Sequence, residues 1–251
     1  MQIVILTALG VGGATLIGAI IGFLFKNISH KFSDVVISFA AGVMLCAAVT
    51  GLILPSLESG TLNSLVVCIV GIFAGALVIH IFDKAVPHLH RLTTGEADKP
   101  SESQRRVNKV LLFVTAIAIH NIPEGIAAGV GFGSSDTSLA LSVAIGIALQ
   151  NIPEGMVIIG PMLSCGISAR RTFFIAAFTG VVEVLGTFLG YFAVSFSSAI
   201  LPFALSFAGG TMLYIISDEM IPETHAHGSE RAATYSLLVG FCLMLVMNTL
   251  L

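Results

Sequence analysis

Charged residues are scarce in this sequence. Asp, Glu, Lys and Arg make up only 10% of its 251 residues, whereas an ordinary soluble domain carries roughly 25%. Apolar residues make up 56%, and the mean hydropathy is +1.00. A soluble core of this size does not need so much apolar surface, which indicates that much of the chain faces lipid.

Clusters of basic residues and cysteine pairs are also missing. The eleven Lys and Arg are scattered and the net charge is −3, which excludes a basic face for binding nucleic acid. The four cysteines form no CxxC pair and lie in or at the ends of apolar runs. They are expected to be small core hydrophobes rather than metal ligands or a disulfide framework.

Eight nearly uncharged stretches are long enough to cross about 30 Å of hydrocarbon. They predict an all-α membrane protein with eight transmembrane helices, and the whole chain, 1–251, is expected to form a single transporter domain. The first stretch has no basic N-terminal region and no cleavage site, so it is interpreted as a helix rather than a signal peptide. The predicted spans are Gln2–Phe25, Val35–Leu57, Leu62–Phe82, Val110–Phe132, Ser138–Leu163, Thr172–Phe196, Ala199–Ile221 and Ala232–Leu251.

The basic residues predict how the spans are oriented. All eleven fall in the connections after spans one, three, five and seven, and none falls in the other connections. Basic connections remain cytoplasmic, so both termini are expected to be extracellular or periplasmic, on the outside of the cell membrane. The longest polar stretch, 83–106, has too few apolar residues for a core of its own and is predicted to be a flexible cytoplasmic loop.

Two short segments suggest an internal repeat. Span two contains SFAAGVML at 38–45 and span seven contains SFAGGTML at 206–213, with six identities in eight positions and a proline soon after each. The two spans cross in opposite directions. The pattern therefore predicts inverted three-helix repeats, spans 1–3 and 6–8, flanking spans 4 and 5, which is typical of transporters. The alternative is a shared small-residue packing motif.

A six-residue motif occurs twice inside apolar spans, as HNIPEG at 120–125 and QNIPEG at 150–155. In each copy the first residue and the glutamate are four residues apart, so they share a helix face. Each proline lacks an N–H group and is expected to open its helix, which frees a carbonyl group. Spans four and five would then present one imidazole, one amide and two carboxylates near the membrane midplane.

Carboxylates at this depth are costly unless they are protonated or paired with a cation. No Lys or Arg lies within a span core, so the cation is expected to come from outside the chain. One nitrogen and several oxygens suit a borderline divalent metal such as zinc, iron, manganese or cobalt. The predicted ligands of this first metal position are His120, Glu124, Gln150 and Glu154.

A third acid, Glu183, lies near the middle of span six. With the two motif glutamates, Asn121 and Asn151 it is predicted to form a second, adjacent metal position. Met44 in span two offers a soft sulfur ligand, although its spacing alone favours a core methionine. Further polar residues at the cytoplasmic side form a candidate landing zone for metal, against the alternative that the histidines are simply solvated: His30, His80, His88, His90, His225, His227, Asp218, Glu219 and Glu223.

Together these features resemble the Zrt/Irt-like protein (ZIP) family of divalent-metal transporters, and the resemblance covers essentially the whole chain. It implies ATP-independent uptake of zinc, often with iron, manganese, cobalt or cadmium, as a transported substrate and not as a cofactor. The lipid bilayer is the implied surrounding and a homodimer a candidate assembly. The resemblance also implies that a pair of metals is bound by His120, Asn121, Glu124, Gln150, Asn151, Glu154 and Glu183, with Met44 as a ligand from span two.

One residue departs from the common pattern of that family. Many relatives have histidine where Gln150 stands, and glutamine there is found in a bacterial subgroup. The change removes a nitrogen donor and bears on metal preference.

Two other functions fit the residues less well. A metal-selective channel on the same scaffold is one, and an intramembrane zinc hydrolase is the other. The chain has a single mid-span histidine and no HExxH motif, whereas catalytic zinc usually needs three strong ligands. We therefore expect a protein that is not an enzyme.

Overall fold

The computed structural model describes residues 1–25, 29–58, 60–94, 102–132 and 137–250. Within these ranges all regular secondary structure is helical, and eight helices are long and apolar enough to cross a membrane. The predicted spans are thus confirmed as helices. They are α1 (Gln2–Leu24), α2 (His30–Leu57), α3 (Leu62–Thr94), α4 (Glu102–Gly131), α5 (Thr137–Ser164), α6 (Ala169–Phe196), α7 (Leu201–Thr224) and α8 (Glu230–Leu250).

The connection between α3 and α4 is shorter than predicted. Helix α3 continues to Thr94 and α4 begins at Glu102, so the prediction of a loop across 83–106 was wrong at both ends. Residues 95–101 lie outside the described residues. Each end extends a helix that is already nucleated, and extension of a helix costs less than nucleation of a new one.

Helices α2 and α7 each change their winding near one end. Residues Ala47–Ile53 of α2 and Ile216–Met220 of α7 are π-helical, and a proline follows each segment, Pro55 in α2 and Pro222 in α7. A π-helical segment adds a residue to the turn and redirects the side chains around it, which is frequent at functional sites.

Helices α4 and α5 run through their prolines without a break. The expectation that Pro123 and Pro153 open these helices was therefore wrong. Each proline removes a single helical hydrogen bond, and close packing holds the backbone on either side. A Cβ atom on Gly125 would collide with the carbonyl oxygen of Glu183 on α6, and Gly155 lies as tightly against α1.

The eight helices pack as two sets. Helices α1, α4, α5 and α6 pack against one another, while α2 packs against α8 and α3 against α7. The sets meet where α2 contacts α5 and α4 contacts α7. Glycines allow close backbone approach in both sets, Gly18 lying against the carbonyl of Ile152 and Gly42 against that of Leu237.

We name the two ends of the bundle by charge. In the sequence, all eleven Lys and Arg fall in or beside the connections α1–α2, α3–α4, α5–α6 and α7–α8; the end of the bundle with these connections is called the basic end. The other is the opposite end. A cavity at the basic end is lined by Ile37, Phe113, Val157 and Pro222, from α2, α4, α5 and α7.

Between the motifs and the opposite end the interior is apolar. Met44, Ala48, Ala128, Val143 and Ile147 belong to one buried cluster contributed by α2, α4 and α5. These packed apolar side chains lie between the motifs and the opposite end.

A chain of hydrogen bonds joins three helices near the opposite end. Ser142 Oγ on α5 donates to Asn248 Oδ1 on α8, and Asn248 Nδ2 donates to Thr50 Oγ1 on α2 at 2.6 Å. Thr50 Oγ1 in turn donates to the carbonyl of Cys46, at 2.6 Å. The chain connects the π-helical segment of α2 to both sets of helices.

Candidate metal centre

The two motifs bring their polar side chains into the bundle interior. Asn121, Glu124, Gln150, Asn151 and Glu183 have no solvent exposure, and His120 and Glu154 are only 8% exposed. So many buried polar groups in a membrane-length bundle are costly unless they have partners or a ligand.

The first polar contact joins the two motifs. Gln150 Nε2 on α5 donates a hydrogen bond of 2.8 Å to Glu124 Oε1 on α4. This orientation leaves the other oxygens, Gln150 Oε1 and Glu124 Oε2, buried and without a partner. The amide and the carboxylate therefore offer two free oxygens at one place.

The two motif asparagines are held in matching ways. Asn151 Nδ2 donates to the carbonyl of Val11 on α1 at 3.1 Å and also to Glu183 Oε1. Asn121 Nδ2 donates to the carbonyl of Thr179 on α6 at 3.3 Å. Because each amide nitrogen is anchored, each Oδ1 atom is fixed in place, and both are buried without a partner.

Buried oxygens without partners therefore concentrate at the motifs. Each such group costs about 1–3 kcal/mol relative to a satisfied one, so a set of four indicates a missing electropositive partner. The side chains of Glu124, Glu154 and Glu183 are also buried here. Carboxylate and amide oxygens near an imidazole suit a divalent cation.

The imidazole has a carboxylate partner from α7. His120 Nε2 and Glu219 Oε1 share a hydrogen bond of 2.7 Å. Glu219 belongs to the π-helical segment, which directs it towards α4. Glu219 is a candidate of the landing zone in the sequence, but nothing there predicts its pairing with His120.

An acidic cavity of about 400 Å³ leads to these residues from the basic end. Glu223 at its mouth is exposed, whereas Glu124 at its inner limit is fully buried. Asp218, Glu219 and Glu154 also line it. Such a concentration of carboxylates attracts cations into the cavity.

In the described part of the chain, no three His, Cys, Asp or Glu side chains converge closely enough to hold a metal ion. The candidate ligands are instead bonded to one another, as in the pairs His120–Glu219 and Gln150–Glu124. A bound cation must therefore replace these hydrogen bonds. The full ligand assignment stays a prediction.

Met44 is fully buried in the apolar cluster with Ala48 and Val143. These are the surroundings of a core methionine. Its assignment as a metal ligand stays a prediction.

Another polar group of the basic end joins α2 to the α7–α8 connection. The ring of His30 stacks on that of His227 at 4.9 Å, and His227 Nδ1 shares a hydrogen bond of 3.0 Å with Asp34. Asp34 is almost fully buried. Two histidines of the predicted landing zone thus lie together, with an aspartate that the sequence does not single out.

The remaining histidines of the predicted landing zone are dispersed. His80 Nδ1 shares a hydrogen bond of 2.8 Å with the hydroxyl of Tyr214, between α3 and α7. His225 contacts Thr224 and the carbonyl of Ile221 at the end of α7, and its Nε2 atom lies 3.3 Å from Thr234 Oγ1 on α8. The side chains of His88 and His90 lie outside the described residues.

Eight membrane-length helices around a buried acidic centre characterise a multi-pass membrane protein suited to handle a cation. The sequence matches the family described as ZIP Zinc transporter over residues 83–248. The chain belongs to the ZIP family.

Three bacterial relatives illustrate the similarity. The zinc transporter GufA of Myxococcus xanthus is 39% identical over 244 residues, which cover 94% of both chains. The zinc transporter ZIPB of Bordetella bronchiseptica is 35% identical over 95% of this chain and 78% of its own length. The zinc transporter ZupT of Chlorobaculum parvum is 33% identical over 94% of this chain and 92% of its own.

Proposed function

We propose that this protein transports divalent transition-metal ions, zinc foremost, across the cell membrane into the cytoplasm without ATP. Family membership and the names of the relatives, all zinc transporters, support zinc as a transported substrate rather than a cofactor. The observation that carries the proposal is the set of buried oxygens without partners at the two motifs. They lie at the inner limit of an acidic cavity.

Each candidate residue has a role in this proposal. His120, Glu124, Gln150 and Glu154 form the first metal position, and Asn121, Asn151 and Glu183 form the second with the shared glutamates. Glu219 shares a hydrogen bond with His120, and it is the next carboxylate on the route to the basic end. The glutamates balance the positive charge of the transported ion, because no Lys or Arg in the span cores neutralises them.

Contacts related by one sequence offset support an inverted repeat. The two SFA segments begin at 38 and 206, and adding their separation of 168 residues to Gly18 gives Gly186. Gly18 lies against the carbonyl of Ile152 in one motif, and Gly186 against that of Ile122 in the other. Spans 1–3 and 6–8 are accordingly two inverted units that flank spans 4 and 5, and exchange of their roles yields inward- and outward-facing states.

The cavity opens at the basic end, and the apolar cluster closes the opposite end. If the basic end is cytoplasmic, this is an inward-facing arrangement. A carrier with alternating access is favoured over a channel because Met44 and Val143, on the side of the motifs towards the opposite end, are buried in one apolar cluster.

The orientation can be tested directly. A reporter fused after Leu251 is expected to be extracellular, and a tag inserted at Gly95 cytosolic, because all basic residues lie at one end. Protease accessibility in intact and opened cells measures both. The eight-span topology fails if the two tags report the same side.

Gln150 is expected to set part of the metal preference. Gln150→His adds an imidazole nitrogen as a ligand. Imidazole ligands favour zinc, whereas oxygen ligands favour manganese. The variant should raise the ratio of zinc to manganese uptake and steepen the fall of uptake below about pH 6.5, because a histidine must be neutral to bind metal. Competition between the two ions in proteoliposomes, from about pH 5.5 to 7.5, measures both effects. An unchanged ratio would remove Gln150 from the ligand set.

The proposal as a whole is tested by zinc uptake into proteoliposomes containing the purified protein. We expect zinc uptake to saturate with zinc concentration, to be inhibited by competing divalent transition-metal ions and to need no added ATP. Rates that rise linearly with metal concentration and show ion-channel speed would favour a channel instead.

A further inference from the structure

Helix α1 contributes a polar side chain to the second metal position. Thr15 is fully buried, and its Oγ1 atom lies 3.4 Å from Glu183 Oε2 and donates a hydrogen bond to it. Glu183 Oε1 accepts from Asn151. Both oxygens of the Glu183 carboxylate thus have a donor that belongs to a different helix.

The direction of the Thr15 hydroxyl is unusual for this chain. A threonine hydroxyl inside a helix normally bonds to a carbonyl three or four residues earlier in the same helix. Other buried threonines do so: Thr179 donates to Ala176, Thr187 to Glu183, Thr211 to Ala208 and Thr224 to Ile221.

One of the carbonyls that could accept the Thr15 hydroxyl has another partner. It belongs to Val11, four residues earlier, and it accepts Asn151 Nδ2 at 3.1 Å. The Thr15 hydroxyl donates to the carboxylate of Glu183 instead. One turn of α1 therefore bonds to two residues of the second metal position. The Val11 carbonyl accepts from the Asn151 amide, and the Thr15 hydroxyl donates to the Glu183 carboxylate.

The sequence offset places Thr15 and Glu183 at equivalent points of the two units, because they too are separated by 168 residues. Close backbone contact between Gly12 and Gly180 brings α1 and α6 together beside them. The carboxylate of α6 therefore faces a hydroxyl, where a symmetric arrangement would place a second carboxylate.

We propose that Thr15 is a positioning residue that orients the Glu183 carboxylate for the second metal position. This inference rests on the proposed function. Partners of metal-ligating carboxylates fix the orientation of the ligand, and their removal typically weakens metal binding by roughly 10–100-fold. Because Thr15 is neutral, only α6, through Glu183, contributes a negative charge at these two equivalent points of the second metal position.

The test uses zinc binding to the purified full-length protein in detergent, by calorimetry with Zn²⁺ alone. Thr15→Val keeps the shape of the side chain but removes the hydroxyl. Thr15→Val is expected to weaken one component of zinc binding, the one that Glu183→Gln also weakens, by roughly 10–100-fold. The component that is lost in Glu124→Gln should stay unchanged. Thr15→Ser, which retains the hydroxyl, should restore wild-type binding.

Thr211→Val is the matched control, because it removes a buried hydroxyl that bonds only to its own helix. Thr15→Ala removes the hydroxyl without adding bulk and replaces Thr15→Val if that variant unfolds. In a Glu183→Gln background Thr15→Val should have no further effect, since Thr15 acts through Glu183.

Two results overturn the inference alone. One is zinc binding in Thr15→Val and Thr15→Ala equal to that in Thr211→Val, while Glu183→Gln still weakens it. The other is an equal loss from Thr15→Val with and without Glu183. If zinc binding survives in Glu124→Gln, Glu154→Gln and Glu183→Gln alike, the proposed function fails, and the role of Thr15 fails with it.

Discussion

Zinc uptake is expected to fall by at least on the order of 100-fold when Glu124 or Glu154 is replaced by Gln. The substitution weakens about two charge-assisted contacts, each worth about 1.5–3 kcal/mol. Each substitution removes a negative charge while it preserves shape. The divalent ion then lacks compensation in a buried site, and its dehydration is no longer offset. Uptake of radioactive zinc by proteoliposomes, normalised to the amount of reconstituted protein, measures the loss.

A matched substitution separates this effect from a general loss of charge. Glu230 is exposed at the start of α8, so Glu230→Gln should transport zinc like the wild type. Glu183→Gln should be milder than either motif variant, because Glu183 serves only the second position. The metal centre is misplaced if both Glu124→Gln and Glu154→Gln transport zinc normally.

Uptake should also stop when α5 is cross-linked to α8 near the opposite end. In an alternating-access carrier the opposite end must open, and α5 must then move away from α2 and α8. Val143 packs against Gly51 there, and Ser142 donates to Asn248. Ser142→Cys with Asn248→Cys, in a background without native cysteines, should block uptake when oxidised and recover on reduction.

A second cross-link supplies the control for the first. Thr50→Cys with Asn248→Cys replaces another hydrogen bond of the same chain, but it joins α2 to α8. These helices belong to one set and meet at Gly42 and Gly240 without intervening side chains. This cross-link should leave uptake unchanged. Unchanged uptake with the α5–α8 cross-link would show that these helices need not separate during transport. Equal inhibition by both cross-links would show that the loss of uptake does not come from holding α5.

The helices could be predicted from the sequence because lipid imposes a simple rule. Hydrocarbon accepts almost no charge, so apolar length alone identifies a span. The same rule does not predict where a helix ends once the chain has left the hydrocarbon and entered water. Residues 83–94 and 102–106 are polar but helical, because a helix that leaves the membrane is already nucleated and can continue in water.

The motif residues of the candidate site were also predictable, since carboxylates and amides are conspicuous in an apolar span. Their partners were not. Thr15 is one of two threonines in the apolar helix α1, and no local motif distinguishes it from the other. Glu219 reaches His120 only through the π-helical winding of α7, which the sequence does not reveal. Both contacts depend on how distant helices pack.

The pairing of the helices has a consequence for how the protein is made. The closest partners of α1, α2 and α3 are α5, α8 and α7, which are synthesised much later. Each early helix must therefore insert into the membrane as an independently stable unit and remain there without its packing partner until that partner is synthesised, as two-stage assembly allows. Gly42 of α2 remains without its neighbour until the last helix is inserted. Chains that lack α8 should consequently be targets for membrane quality control rather than partly active carriers.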